Sequence, residues 1–291
     1  MLSPERSQAD VAVLAQLACL LEVCAAKPGN VSMGASFHDT HVEDFLVSAM
    51  AIGPAFEAAG ERPLGRTIRA AIEATRRWTR ANTNLGIVLL LAPLARAALR
   101  AGTDPLRARL AATLEETTVE DAREVYAAIR LASPGGLGRA SAQDVAQTPT
   151  APLREVMALA ADRDAIAREY VTTFQTTFDV GAPALERALA DGLSRTDATL
   201  EAYLALLAFA PDTHIARKLG PEEAAAVQRH ARAVVELGGG RTVAGRDAIA
   251  ALDHDLRDAR NTCNPGATAD LTAAAMFVVL LAGGHPARGA R

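Results

Sequence analysis

Val13, Leu14, Leu17, Leu20, Leu21 and Val23 nearly encircle a helix that Ser7 or Asp10 can cap and that runs to about Ala26. A helix apolar on most of its sides must be enclosed by other elements, and this one therefore belongs at the centre of its fold. The enclosing elements read as helices too. Strand-like alternation is scarce along the 291 residues, aromatic residues make up only 4%, and alanine is abundant. Such a chain suits close-packed helices and not a β-sandwich. The expectation is an all-α protein, one multi-helix domain over residues 1–291. The 50% of hydrophobic residues give it a sizeable core.

Further helices follow in order. One starts near Thr40 and runs to Ala59. Another, over 64–80, sets Ile68, Ile72 and Thr75 on one face and Arg66, Arg69, Arg76 and Arg77 on the others, which reads as solvated surface. An apolar helix follows Gly86, and Pro93 inside it is expected to bend or restart it. Thr117-Thr118-Val119-Glu120 resembles a capping start for a helix ending near Ala132. In the second half helices are expected at 162–177, 182–191, 197–210, 221–237, 246–260 and 268–282. The glycine loop 133–138 lacks both a preceding strand and the Lys-Ser/Thr of a P-loop, so it reads as a tight turn between helices. Residues 141–152 read as a mobile surface loop.

Several function classes drop out. The formal net charge is -4, with no basic surplus for a nucleic-acid partner. The longest apolar run, 271–283, is too short to span a bilayer. No apolar signal core follows Met1, and Cys19, Cys24 and Cys263 have no metal spacing and read as small buried hydrophobes. These features suggest a cytoplasmic protein with no membrane partner. The alanine-rich helices are compatible with a homodimer. His285 falls in a tail expected to fray.

Polar segments punctuate the apolar helices, each at a helix end. Lys27-Pro28-Gly29-Asn30-Val31-Ser32 is followed within a few residues by His38, Asp39, His41, Glu43 and Asp44. Unpaired charge is costly to bury, so a core has no use for this cluster. A site that holds a polyanion through Mg²⁺ does. Glu43 and Asp44 have a plainer reading as complements of a helix dipole. His38 and His41 lack the third ligand that zinc requires. Glu22, in the last turn of the first helix, is either salt-bridged, exposed or aimed at the loop that follows. Asn82-Thr83-Asn84-Leu85-Gly86 can cap the next helix and can also receive phosphate at its N-terminus. Asp212-Thr213-His214, with Arg217 and Lys218, either opens an exposed helix or joins the site. Asp270 is a charged group on an otherwise buried run and needs a partner or a metal. Asp253, His254, Asp255 and Asp258 read as solvated surface. If these helix ends converge, they form a Mg²⁺–phosphate cleft.

The same segments, in the same order, resemble the triphosphoribosyl-dephospho-CoA synthase family over about residues 20–282. Lys27 and Gly29 match its Lys-Pro-Gly element, and His38 with Asp39 stands near its Gly-Ala-His-x-Asp element. Asp212 and Thr213 match its Asp-Thr element, with Arg217 near its basic residue. Gly266 and Asp270 match its Pro-Gly-x-x-Ala-Asp element. The family's Asn-Thr-His-Lys-Gly reads here Asn82-Thr83-Asn84-Leu85-Gly86, without the histidine and the lysine, as in a divergent branch.

The resemblance implies an all-helical Mg²⁺-dependent enzyme in which a hydroxyl of dephospho-CoA displaces adenine from C1 of the ATP ribose. It implies catalytic roles for Asp39, Asp212 and Asp270. Substrate and phosphate contacts would come from Lys27, Gly29, Asn30, Ser32, His38, Asn82, Thr83, Asn84, Gly86, Thr213, Arg217 and Gly266. Asp39, Glu43, Asp44 and Asp212 would hold Mg²⁺. Three alternatives stand beside it: a phosphoribosyl pyrophosphate donor with a methanopterin-type acceptor, a helical Mg²⁺-dependent nucleotide or ADP-ribosyl hydrolase, and a non-enzymatic nucleotide-binding protein.

Overall fold

The computed structural model describes residues 6–135, 142–258 and 260–283, and it is 68% helical. Among the described residues there is no strand, only an isolated bridge between Ser32 and Ala35. The all-α expectation therefore stands. Contacts divide the chain into two compact units, Met1–Cys19 with Glu43–Gln175 and Leu20–Val42 with Thr176–Arg291.

The first unit takes α1 (Gln8–Cys24) as far as Cys19, then α2 (Val42–Ala51) from Glu43, α3 (Gly53–Glu57), α4 (Leu64–Arg76) and α5 (Leu85–Ala98). It continues through α6 (Leu106–Glu115), α7 (Val119–Ala132), α8 (Leu153–Ala158) and α9 (Ala165–Thr172). Small residues let α1 pack closely: Val11, Ala15 and Ala18 are fully buried, whereas Val13 is exposed. The helix expected over 40–59 is two helices. Pro54 sits in the first turn of α3 and cannot donate to an α2 carbonyl, so the ladder restarts there. The cap of α7 lies one residue later than the Thr117–Glu120 spacing suggests. Thr118 and Asp121 form the reciprocal box, and Asp121 also accepts the Gly65 N–H of α4 at 2.8 Å.

Pro93 does not restart α5, which runs unbroken through it, because its missing donor is replaced from outside. Proline has no N–H for the Leu89 carbonyl four residues back, and the buried Tyr170 hydroxyl of α9 donates to that carbonyl at 2.6 Å. Near the loop expected to be mobile, the Gln143 carbonyl accepts from Tyr126, and the Gln143 side chain bonds both the Thr150 N–H and its hydroxyl. Residues 136–138 of the glycine loop, residue 141 and His285 lie outside the described residues.

The second unit starts with the end of α1 and the loop to Val42. After a π-helical turn (Thr177–Gly181) come α10 (Ala182–Ala190), α11 (Arg195–Phe209), α12 (Thr213–Leu219), α13 (Pro221–Glu236), α14 (Val243–Leu256) and α15 (Gly266–Leu281). Tyr203, Leu207, Ile215, Leu252 and Leu256 tie α11, α12 and α14 into one apolar cluster. α15 is buried almost throughout, as its apolar run implied. Among the described residues no helix is long and apolar enough to cross a membrane.

Candidate functional site

Three of the polar segments meet within the second unit: the loop after α1, the start and end of α12, and the stretch that leads into α15. The loop is fastened first. Gly29 turns the chain at φ 74°, and any Cβ there would lie 2.8 Å from the Leu256 Cβ, so only glycine fits. Its N–H donates to Asp253 Oδ1 at 2.8 Å, while Asp253 Oδ2 pairs with the Arg257 Nε at 2.8 Å. Arg257 in turn donates to the Asn30 carbonyl at 3.0 Å. From α11 the Tyr203 hydroxyl donates to the Pro28 carbonyl at 2.7 Å and accepts from Asn30 Nδ2 at 2.9 Å. Burial, aided by the charge of Asp212, raises the Tyr203 pKa well above its ordinary value, so the hydroxyl stays protonated and donates.

Lys27 turns inward. Its ammonium pairs with Glu22 Oε1 at 3.0 Å and donates to the Glu22 carbonyl and to the Ala25 carbonyl, the latter at 3.1 Å. Three bonds use all three of its donors, and both side chains are buried. Burial pushes the Glu22 carboxyl up, and Lys27 pulls part of that shift back. Glu22 is thus salt-bridged to the loop that follows its helix. Ser32 is buried, with its backbone in the Ser32–Ala35 bridge.

Asp212 is buried at the N-cap of α12. Oδ1 accepts from the N–H groups of His214 and Ile215 at 2.7 and 3.1 Å. Oδ2 accepts from the N–H and the hydroxyl of Thr268 in the first turn of α15, at 2.8 and 2.7 Å. One carboxylate thereby serves the N-termini of two helices, and its four lone-pair sites are filled. Burial raises its pKa, and these four bonds oppose the rise.

Gly266 opens α15 hard against His214: a Cβ built on it would stand 2.1 Å from Nδ1. Burial pushes the His214 pKa down to about 3, with help from Lys218 and Arg217. Thr213, Arg217 and Asp270 are half-buried. Lys218 donates to Asn264 Oδ1 at 3.0 Å and to the Asn261 carbonyl at 3.4 Å. Its own pKa is lowered by burial and by Arg217, against the pull of Asp258, Asp212 and Asp39.

Two exposed groups of the loop after α1 are His38 and Asp39, with side chains 58% and 65% accessible. His38 Nδ1 lies 2.9 Å from Asn261 Nδ2, and its Nε2 lies 3.7 Å from Asp39. Asp258 folds the supporting loop by accepting the N–H groups of Arg260, Thr262 and Cys263.

The remaining expected residues lie in the first unit. Glu43 is exposed, and Asp44 accepts from the Thr79 hydroxyl at 2.7 Å. Thr83 and Asn84 are buried, bonded to Ser48 and Thr75 at 2.6 and 3.0 Å, and Asn82 accepts the Leu85 N–H at 3.3 Å at the start of α5. Gly86 follows in the first turn of α5. Among the described residues no three His, Cys, Asp or Glu side chains stand together as a metal cage.

Sequence reasoning missed Tyr203, Asp253, Arg257 and Asn261. The reading of Asp253 and Asp258 as free solvated surface is corrected: one holds Gly29 and the other folds the 258–263 loop. No local signal marks these residues, since Asp253 sits on an ordinary charged helix 224 positions from its partner.

A family model described as ATP:dephospho-CoA triphosphoribosyl transferase matches residues 8–288. A protein of Pseudomonas putida assigned as a 2-(5''-triphosphoribosyl)-3'-dephosphocoenzyme-A synthase is 39% identical over 105 residues, 36% of this chain and 37% of that protein. A similarly assigned protein of Pseudomonas paraeruginosa is 39% identical over 98 residues, 34% of this chain and 33% of its own length. The match thus spans about a third of the length of these relatives. A solved structure from Archaeoglobus fulgidus, assigned as a triphosphoribosyl-dephospho-CoA synthase, superposes with a TM-score of 0.63 at 29% identity, covering 82% of this chain and 99% of its own.

Proposed function

The chain belongs to the ATP:dephospho-CoA triphosphoribosyl transferase family, and from that premise we propose that it transfers the 5-triphosphoribosyl group of ATP to a hydroxyl of a cofactor precursor, with 3'-dephospho-CoA as the first acceptor to test. The observation that carries this reading is the family match over residues 8–288, which takes in every segment of the site. In the transfer the acceptor oxygen bonds to C1 of the ribose as the bond from C1 to adenine breaks. Adenine leaves with that electron pair and gains a proton, and the hydroxyl proton passes to a base.

The geometry supports a division of labour. Arg217 and Lys218, in the last turn of α12, face the triphosphate. Asp39, exposed beside His38, is the carboxylate placed to take the hydroxyl proton or to touch a metal. Asp270 in the second turn of α15 steadies positive charge developing on the ribose. Lys27 and Asp212, whose bonding capacity is used within the fold, act as framework. Gly29, Asn30, Ser32 and Gly266 shape the loop and the helix start, and Thr213 lines the opening of α12.

Mg²⁺ fits this donor set in one way. It commonly takes one or two carboxylates, with substrate phosphates and waters completing its shell. Asp39 can supply such a carboxylate, and no all-protein cage is needed. Bound there with the triphosphate, Mg²⁺ would neutralise phosphate charge.

The test pairs calorimetry with product analysis. ATP and phosphoribosyl pyrophosphate are each titrated into the protein with Mg²⁺ and with chelator, and adenine release is followed with and without dephospho-CoA. Mg²⁺-dependent ATP binding and acceptor-dependent adenine release are expected. Adenine release without acceptor would replace the reading by a hydrolase, binding of phosphoribosyl pyrophosphate alone would change the donor, and no binding of either would sink ribosyl transfer.

A further inference from the structure

Tyr203 is wholly buried in the apolar cluster of α11, α12 and α14, yet its hydroxyl serves neither the core nor its own helix. Both of its hydrogen bonds go to the turn after α1, 173 and 175 positions earlier. Phenylalanine would fill the same volume, so the oxygen is there for the turn. The turn is also held from α14, through Asp253 on the Gly29 N–H and Arg257 on the Asn30 carbonyl. From that anchorage the chain runs through the Ser32–Ala35 bridge and the Phe37–Thr40 bond at 2.9 Å to His38 and Asp39, and Asn261 meets His38 at the far end. The crest carrying Met33, Gly34 and Ser36 is exposed. Loops of this form keep a preferred place only where their backbone groups are bonded to something rigid.

We infer that Tyr203 is a positioning residue of the site: through the Pro28–Asn30 turn it sets where His38 and Asp39 stand. It touches no reacting atom and acts through a loop that sequence reasoning had assigned to phosphate binding. The Asp253–Arg257 pair supports the same turn from α14. For its kinetic half this rests on the transferase reading above, while its structural half does not.

The experiment compares the full chain with Tyr203→Phe and, as a second variant reaching the same turn from α14, Asp253→Asn. Amide hydrogen exchange is read by mass spectrometry, and kcat and KM are read from adenine release with dephospho-CoA. In both variants exchange over residues 29–40 accelerates about tenfold or more, as loss or weakening of the buried hydrogen bonds that hold the turn implies, while α11 and α15 keep their protection. In Tyr203→Phe kcat falls about tenfold with KM for ATP little changed, because misplacing a group costs rate more than affinity. Wild-type exchange over 29–40 would overturn the inference. So would acceleration spread evenly through the second unit, or a loosened loop with unchanged kcat. If the wild type releases no adenine, the transferase reading fails by itself, and the exchange profile still decides whether Tyr203 holds the turn.

Discussion

Asp212 and Thr268, 56 positions apart, are joined by two hydrogen bonds on a single carboxylate oxygen, at 2.8 and 2.7 Å. The other oxygen of Asp212 caps its own helix. The start of α12 is therefore fixed to the start of α15 by one side chain. Asp212→Ala leaves several buried donors unsatisfied and should destabilise the protein by about 3 kcal/mol, whereas Thr268→Val should cost about 1–2 kcal/mol. A double-mutant cycle in urea should show strong coupling. Additive costs would mean that the two residues act separately.

Gly266 tests how closely α15 meets α12. In Gly266→Ala the new methyl would stand 2.1 Å from His214 Nδ1, so the imidazole must leave its place. Overpacking of this kind costs about 1–3 kcal/mol. Adding His214→Ala should restore much of the loss in thermal melts, because the clash then has no partner. A melt of Gly266→Ala indistinguishable from wild type would show that the two helices do not meet so closely.

His214 also gives the protein a defined acid response. Its folded-state pKa of about 3 lies below the unfolded value of 6.5, so between those pH values the unfolded chain binds more protons. Its contribution is full above pH 6.5 and is lost as pH falls towards 3. Between neutral pH and pH 5.5 the loss is about 1.4 kcal/mol. Urea midpoints measured across this window should fall less steeply in His214→Asn than in the wild type.

The Glu22–Lys27 pair should respond asymmetrically. Lys27→Met leaves a buried carboxylate without its cation and should cost about 3–5 kcal/mol, whereas joint replacement by Glu22→Leu and Lys27→Met should cost far less. Equilibrium unfolding of the three variants checks this. If the single change is as mild as the double one, the pair is not desolvated as the geometry states.

Tyr170 and Pro93 should be coupled through the Leu89 carbonyl. Tyr170→Phe removes the donor that replaces the missing proline N–H, at a cost of about 1–3 kcal/mol. In a Pro93→Ala background the helix can supply its own donor, and the same change should cost less than 1 kcal/mol. Equal costs in the two backgrounds, measured by chemical denaturation, would refute the repair.

The helical class was legible because periodicity and capping are local. Val13, Leu14 and Leu17 announce a helix without reference to anything distant, and the apolar run after Gly266 announces a buried one. The helix-end segments of the site were legible too, as were the glycine turn at Gly29 and the resemblance that links 27–40, 212–217 and 266–270. Smaller local features shifted where a neighbour intervened: Asp121 moved the α7 cap by one residue, and Tyr170 carried α5 through Pro93.

The roles of individual charges were not legible. Lys27, Asp212 and Asp253 look alike in the chain as polar residues near helix ends, yet the fold draws the first two inward and binds the third to a glycine N–H. A local pattern sets which backbone conformation is cheap, and that is enough to determine a helical protein of this family. Whether a charged group is spent on the framework or left for a ligand depends on which partners lie within about 3 Å of it. For Lys27 they are Glu22 and Ala25 close by in the chain, but for Asp212 and Asp253 the deciding partners, Thr268 and Gly29, come from 56 and 224 positions away, and only tertiary packing brings them there.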